Sequence, residues 1–92
     1  MAEFLKDKIV NALTAATGSN ATVVIDEVEG GRYAGYVLWP GFANVSPSDR
    51  QDRIWEQLDA DLSRAERTKI SFIITDTAEE YDSIRQASHD GA

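Results

Sequence analysis

The sequence predicts an α+β domain in the order αββαβα, with a three-stranded mixed sheet and helices packed mainly on one face. Three observations carry this prediction. Residues 3–16 and 47–65 place apolar side chains at helical spacing. Residues 21–29 and 32–39 are β-branched and aromatic runs separated by Gly30-Gly31, the composition of a tight hairpin. Residues 69–75 form a third such run after the helical stretch, and a strand–helix–strand crossover sets the third strand parallel to the second.

Each element has a local cause. In the first helix, Leu5, Ile9, Ala12, Leu13 and Ala16 form one stripe, and Thr17-Gly18-Ser19-Asn20 ends it. Residues 21–29 read as a strand that Gly30-Gly31 reverses. In residues 32–39, Tyr33, Gly35, Val37 and Trp39 share one face and Ala34, Tyr36 and Leu38 the other. Both faces are largely apolar, which suits a central strand with helices over one side. Pro40-Gly41 breaks this strand. Ser46 is the expected cap of the next helix, with Pro47 at its first position and Asp49 three residues after the cap. Ile54, Trp55, Leu58, Leu62 and Ala65 are its expected buried stripe, and Arg50, Asp52, Arg53, Glu56, Asp59 and Asp61 its charged face. In the third strand Ile70, Phe72 and Ile74 fall on one face by simple alternation. Thr77 and Glu80 have capping-box spacing for a last helix carrying Ala78, Tyr81 and Ile84. A small, polar tail is expected to fray from about residue 87.

Composition narrows the function classes. With 92 residues the chain is read as one domain, 1–92, burying roughly 60–65% of the surface of its unfolded form. That leaves little room for an enclosed catalytic cavity. There are no cysteines, which removes disulfides, zinc thiolates and thiol nucleophiles together. No apolar run approaches the ~20 residues of a membrane span. A cytoplasmic location is the expectation for a small, cysteine-free domain, and Met1-Ala2-Glu3-Phe4 has neither the basic region nor the apolar stretch of a signal peptide. Asp and Glu outnumber Lys and Arg by 16 to 9, giving a net charge of −7. Nucleic-acid and anionic-membrane binding are disfavoured, because both need cations that displace counterions from phosphates. Solubility accounts for the acidity.

The order and lengths of the elements, with several polar positions, resemble the BolA family, whose fold is like that of type II KH domains. The resemblance covers most of residues 32–84. Arg32-Tyr33 opens the second strand where the family often has His-aromatic. Phe42 stands at the family's loop aromatic. Arg50 follows eight residues later, where the family has the Arg of its Arg-His pair. Ile54-Trp55, Leu58 and Leu62 keep the apolar helix spacing, and Thr75-Asp76-Thr77 with Glu80-Tyr81 matches the closing pattern. Three positions depart from the family: its loop glycine is Asn44 here, the His after the Arg is Gln51, and the His near the start of the third strand falls at about Lys69. The family's histidines at such places are linked to [2Fe-2S] binding shared with monothiol glutaredoxins. The resemblance thus implies the fold, while the cluster-binding residues are missing and no cofactor is expected.

Candidate sites each have a bland alternative. Asp26, Glu27 and Glu29 suggest metal or acid–base chemistry, but strand alternation spreads them over both faces, as at a solvated strand end. Arg50 and Arg53 suit a partner carboxylate or phosphate, or pair with Asp49, Asp52 or Glu56 along the helix. Trp39 and Phe42 flank Pro40-Gly41 and either form an exposed aromatic loop or fold back over the core. Residues 40–43 lack the second glycine and the basic residue of a phosphate clamp. Ser46, Ser48, Ser63 and Ser71 would need an imidazole held in place, and His89 in the tail is the only one. The expected function is a non-enzymatic module that contacts an unidentified protein partner. Trp39 and Phe42 would be its apolar anchors and Arg50 and Arg53 its charges, in loop 40–44 and the second helix. The alternatives are a homo-oligomer that pairs through a sheet face or edge strand, leaving monomer or homodimer open, and a carboxylate-based metal enzyme.

Overall fold

The computed structural model describes the backbone of residues 2–90 and the side chains of residues 5–84. Helix α1 spans Ala2–Thr17, strand β1 Thr22–Val28 and strand β2 Arg32–Leu38. A 3-10 turn at Pro40–Phe42 leads to helix α2, Pro47–Asp61, and a short helix α3, Arg64–Arg67. Strand β3, Ile70–Asp76, and helix α4, Ala78–Asp90, close the chain. The sheet order is β1-β2-β3, with β1 antiparallel and β3 parallel to β2. This is the α+β class and the mixed three-stranded sheet expected from the sequence. The hairpin loop is Glu29-Gly30-Gly31, between the paired Val28 and Arg32, and Gly30 and Gly31 take φ of +81° and +72°, a left-handed backbone that glycine adopts without strain.

The core lies between one sheet face and α1 and α2. Its largest fully buried side chains are Ile9 and Leu13 of α1, Val37 of β2, Phe42 of the turn, and Ile54 and Leu58 of α2. Each contributes roughly 1.5–3 kcal/mol relative to an exposed position. Trp55 is half-buried and packs against the edge of this cluster. Helix α4 meets the opposite sheet face, where the ring of Tyr81 stacks on Tyr36 with centroids 4.9 Å apart. The helix runs on past Gln86 to Asp90, and its side chains from residue 85, His89 among them, lie outside the described residues.

Two elements differ from the sequence expectation. The second helix does not continue through Ala65. Leu62 leaves helical geometry with φ −115° and ψ 148°. Ser63 then caps α3 by a reciprocal pair of bonds: Glu66 N–H donates to Ser63 Oγ at 3.2 Å, and Ser63 N–H to Glu66 Oε1 at 2.8 Å. Ser63-x-x-Glu66 is a start signal set inside a continuing apolar period, and it wins because Ala65 is exposed and gains nothing from the longer helix. Lys8 of α1 fastens this joint by an ion pair to Glu66 at 2.8 Å.

The second difference is in β3. Tyr33 pairs with Ile70, but Ala34 pairs with Phe72, so Ser71 is an extra residue in the ladder. A single inserted residue flips every later side chain to the other face. Ile70 and Ile73 therefore join the core, whereas Phe72 and Ile74 point away from it. Simple alternation had placed Ile70, Phe72 and Ile74 together.

Gly35 marks the tightest approach of β1 to β2. A β-carbon there would stand 1.9 Å from the Val24 carbonyl oxygen and 2.9 Å from the Ile25 α-carbon, both backbone atoms. Gly35→Ala is expected to cost about 3 kcal/mol or more, well above the ~1 kcal/mol typical of point changes. Urea denaturation measures it, and a loss under about 1 kcal/mol would mean that β1 moves aside freely.

Candidate functional site

The structure brings Trp39, Phe42, Arg50 and Arg53 together as one ladder, ordered Arg53–Trp39–Phe42–Arg50. The Arg53 guanidinium lies 5.1 Å from the centre of the Trp39 ring. Trp39 and Phe42 meet edge to face at 5.2 Å. The Arg50 guanidinium lies 5.6 Å from the centre of the Phe42 ring. These are cation–π and aromatic contacts that add to the burial of the rings. The Arg53–Trp39 end is anchored twice: Arg53 Nε donates to the Ala16 carbonyl at the end of α1 at 2.8 Å, and Trp39 Nε1 to Asn20 Oδ1 at 3.0 Å.

Accessibility divides the four. Phe42 is fully buried and Arg50 is 6% exposed, so the loop folds back as a lid and neither side chain can be reached by a partner. This corrects the expectation that Arg50 lies on the charged outer face of α2. Arg53 is exposed and Trp39 half-buried. Arg53 also borders a shallow groove of about 370 Å³ with Ala15, Ala16, Glu56, Gln57 and Ala60.

Arg50 is held by the far end of the fold rather than by its helix neighbours. Nε donates to the Val45 carbonyl at 2.8 Å and Nη1 to the Thr75 carbonyl at 3.1 Å. Nη1 and Nη2 form a two-pronged bridge to Glu80 at 2.7 and 3.1 Å. Glu80 Oε1 also accepts from Thr77 N–H at 2.8 Å, while Glu80 N–H donates to Thr77 Oγ1, which completes the capping box of α4. The hydrogen bond from Arg50, then that from Thr77, holds the Glu80 carboxyl at about 2. The same bridge raises Arg50 above its ordinary value against the opposing effect of burial. Asp76 shifts opposite to Glu80: burial, then the Glu80 charge, raises it, outweighing Arg50 at 3.9 Å.

Some of the residues quoted for the BolA-like resemblance meet in this latch. Arg50, Thr75, Asp76, Thr77 and Glu80 form it, and Tyr81 follows as the stack on Tyr36. Asn44, where the family has glycine, takes φ +66°, a left-handed conformation that asparagine tolerates. Gln51, where the family has histidine, donates through Nε2 to the Ile73 carbonyl at 2.9 Å and to Thr75 Oγ1 at 3.0 Å, and accepts from Trp55 Nε1. It is a strut between α2 and β3.

The remaining candidates stay apart. Asp26, Glu27 and Glu29 are exposed, and among the described residues no three His, Cys, Asp or Glu side chains form a metal-binding group. Glu27 instead lies near Tyr33, whose hydroxyl is raised by burial and then by that charge. Ser46 and Ser63 serve as helix caps.

The sheet face turned away from the core is the feature that the site residues did not anticipate. The register puts Val24, Asp26 and Val28 of β1, Arg32, Ala34, Tyr36 and Leu38 of β2, and Phe72 and Ile74 of β3 on it. Phe72 is 56% exposed, Ile74 41% and Val28 39%; Ile84, one turn beyond Tyr81 on α4, is 59% exposed. Among the described residues, these four are the exposed large hydrophobics. The Ser71 bulge is what carries Phe72 and Ile74 there, so no periodicity in the sequence could reveal the patch.

Two predictions follow from the latch. Arg50→Met leaves the Val45 and Thr75 carbonyls without their charged donor, which is expected to cost about 2–3 kcal/mol and to lower Tm by roughly 8 °C or more. A calorimetric scan reads it, and an unchanged Tm would show that the two carbonyls find water without loss. The second concerns pH. Glu80 and Glu66 both sit at about 2 in the folded chain against an ordinary 4.5. Their contribution is present above about 4.5 and is lost as pH falls towards 2, because the unfolded chain takes up protons first. Raised Asp76 contributes with the opposite sign. Wild type and Glu80→Gln should therefore differ in urea midpoint at neutral pH and converge as pH falls towards 2. A constant gap across that range would mean that the bridge does not control Glu80.

No family model, curated protein or solved structure matches this chain.

Proposed function

We propose that the chain is a small, non-enzymatic protein-interaction module that docks through the open face of its sheet. The carrying observation is the placement of exposed Phe72, Ile74 and Val28 on that one face; Ile84 of α4 is exposed as well. Soluble monomers rarely leave contiguous apolar patches of more than a few hundred Å² uncovered, and larger ones mark interaction surfaces. The partner chemistry that fits is an apolar protein surface bearing both signs of charge, because Asp26 and Arg32 share the face with the hydrophobic residues. The route first expected, through loop 40–44 and α2, has its inner residues Phe42 and Arg50 engaged in packing, which leaves Trp39 and Arg53 as its accessible part.

The polar groups at the centre of the molecule favour a non-catalytic role. Arg50, Gln51, Thr75 and Glu80 are engaged with one another and with backbone carbonyls, holding helices to the sheet. A BolA-like relation belongs to the proposal at the level of layout, supported by the latch residues and by Asn44 in a glycine-like conformation. An iron–sulfur role has no support from Gln51 or Lys69, which replace the family's histidines. A cytoplasmic location completes the proposal, on the cysteine-free composition.

Photo-crosslinking tests the surface. Benzoylphenylalanine at position 72 in cells should give protein adducts, whereas the same group at the exposed Asp52 position of α2 should give few. Equal yields from both positions, or none from position 72, would remove the sheet face as the docking surface.

A further inference from the structure

The open face carries two charges without a salt-bridge or side-chain hydrogen-bond partner among the described residues, Asp26 of β1 and Arg32 of β2. Both are exposed. Asp26 sits opposite Ala34 and Arg32 opposite Val28, so the two are diagonal neighbours, about 7–8 Å apart at the backbone. A two-fold axis passing midway between them sets the Asp26 of each copy against the Arg32 of the other, so one operation makes two ion pairs. The same axis passes near Phe72, which lies one strand beyond Ala34, and lays that ring against its own counterpart.

Resting on the reading of this face as an interaction surface, we infer that its occupant is a second copy of this chain, in a two-fold dimer joined face to face and registered by reciprocal Asp26–Arg32 pairs. Charge selects this arrangement over others. The molecule carries a net charge of −7, so two copies repel each other in most orientations. The open face pairs an acidic with a basic residue and is therefore a place where copies meet with unlike charges opposed. Size sets the strength. Three seven-residue strands give a face about 23 Å long and about 15 Å wide, and the part over Tyr36 is already taken by Tyr81 of α4. That footprint is below the ~800 Å² per partner of a standard interface. A micromolar rather than nanomolar dimer is expected.

The test is sedimentation equilibrium of the full chain at low salt, from about 1 to about 500 μM, a range that brackets a micromolar Kd. Wild type should shift from monomer to dimer. Arg32→Glu opposes two acidic pairs across the axis, and Asp26→Arg opposes two basic pairs. Each should weaken the dimer at least tenfold with an unchanged circular dichroism spectrum, because neither side chain has a salt-bridge or side-chain hydrogen-bond partner among the described residues. An equimolar mixture of the two variants restores two unlike pairs and should recover a dimer within a few-fold of wild-type strength. A wild type that stays monomeric, single variants that dimerise like wild type, or a mixture that stays monomeric would each overturn the inference. If wild type is monomeric while position 72 still crosslinks to other proteins in cells, the interaction surface stands and only its occupant is wrong. If position 72 yields no adducts either, both fall together.

Discussion

One guanidinium holds the parts of this molecule together. Arg50 donates to the loop before α2, to the backbone of β3, and through two prongs to the first turn of α4, while its plane lies over Phe42. A planar fork with five N–H groups can serve several acceptors in fixed directions, which the compact ammonium of lysine cannot. Through Phe42 and Trp39 the same contact chain reaches Arg53 and the end of α1. The ladder thus runs from the last helix to the first, across the top of the sheet. Its burial is tolerated because each prong has an acceptor and because Glu80 keeps part of its surface in water.

The latch also fixes which part of the outer sheet face stays exposed. By fixing the first turn of α4, it sets Tyr81 over Tyr36, while Phe72, Ile74 and Val28 of that sheet face stay exposed. The Ser71 bulge then supplies the hydrophobic residues. A buried electrostatic contact and one extra strand residue, remote from each other, together define the apolar face. Phe42 and Arg50 serve that outcome indirectly, as the frame behind it.

Much of the layout was legible in the sequence because its signals are local. Ser46 with Asp49, Gly30-Gly31, and Thr77 with Glu80 act over three residues or fewer, and the structure uses each of them as written. Ser63 with Glu66 carried the same kind of signal, and the apolar period running on to Ala65 obscured it. Arg50 was not legible. Between Asp49 and Asp52 it has the look of a solvated helix face, and its partner Glu80 stands thirty residues away. Nor was the bulge legible, since Ile70-Ser71-Phe72-Ile73-Ile74 is apolar at nearly every position and fits either face.

The sequence by itself determined the α+β order, the hairpin, the caps and the side of α1 and α2 that is buried, because capping bonds and amphipathic periods are short-range. The tertiary structure alone decided that Arg50 and Phe42 are interior, that Gln51 braces β3, and that Phe72 and Ile74 face outward. Those outcomes depend on which distant groups arrive beside a side chain and on a one-residue shift in strand register, and neither is encoded within a single turn or strand.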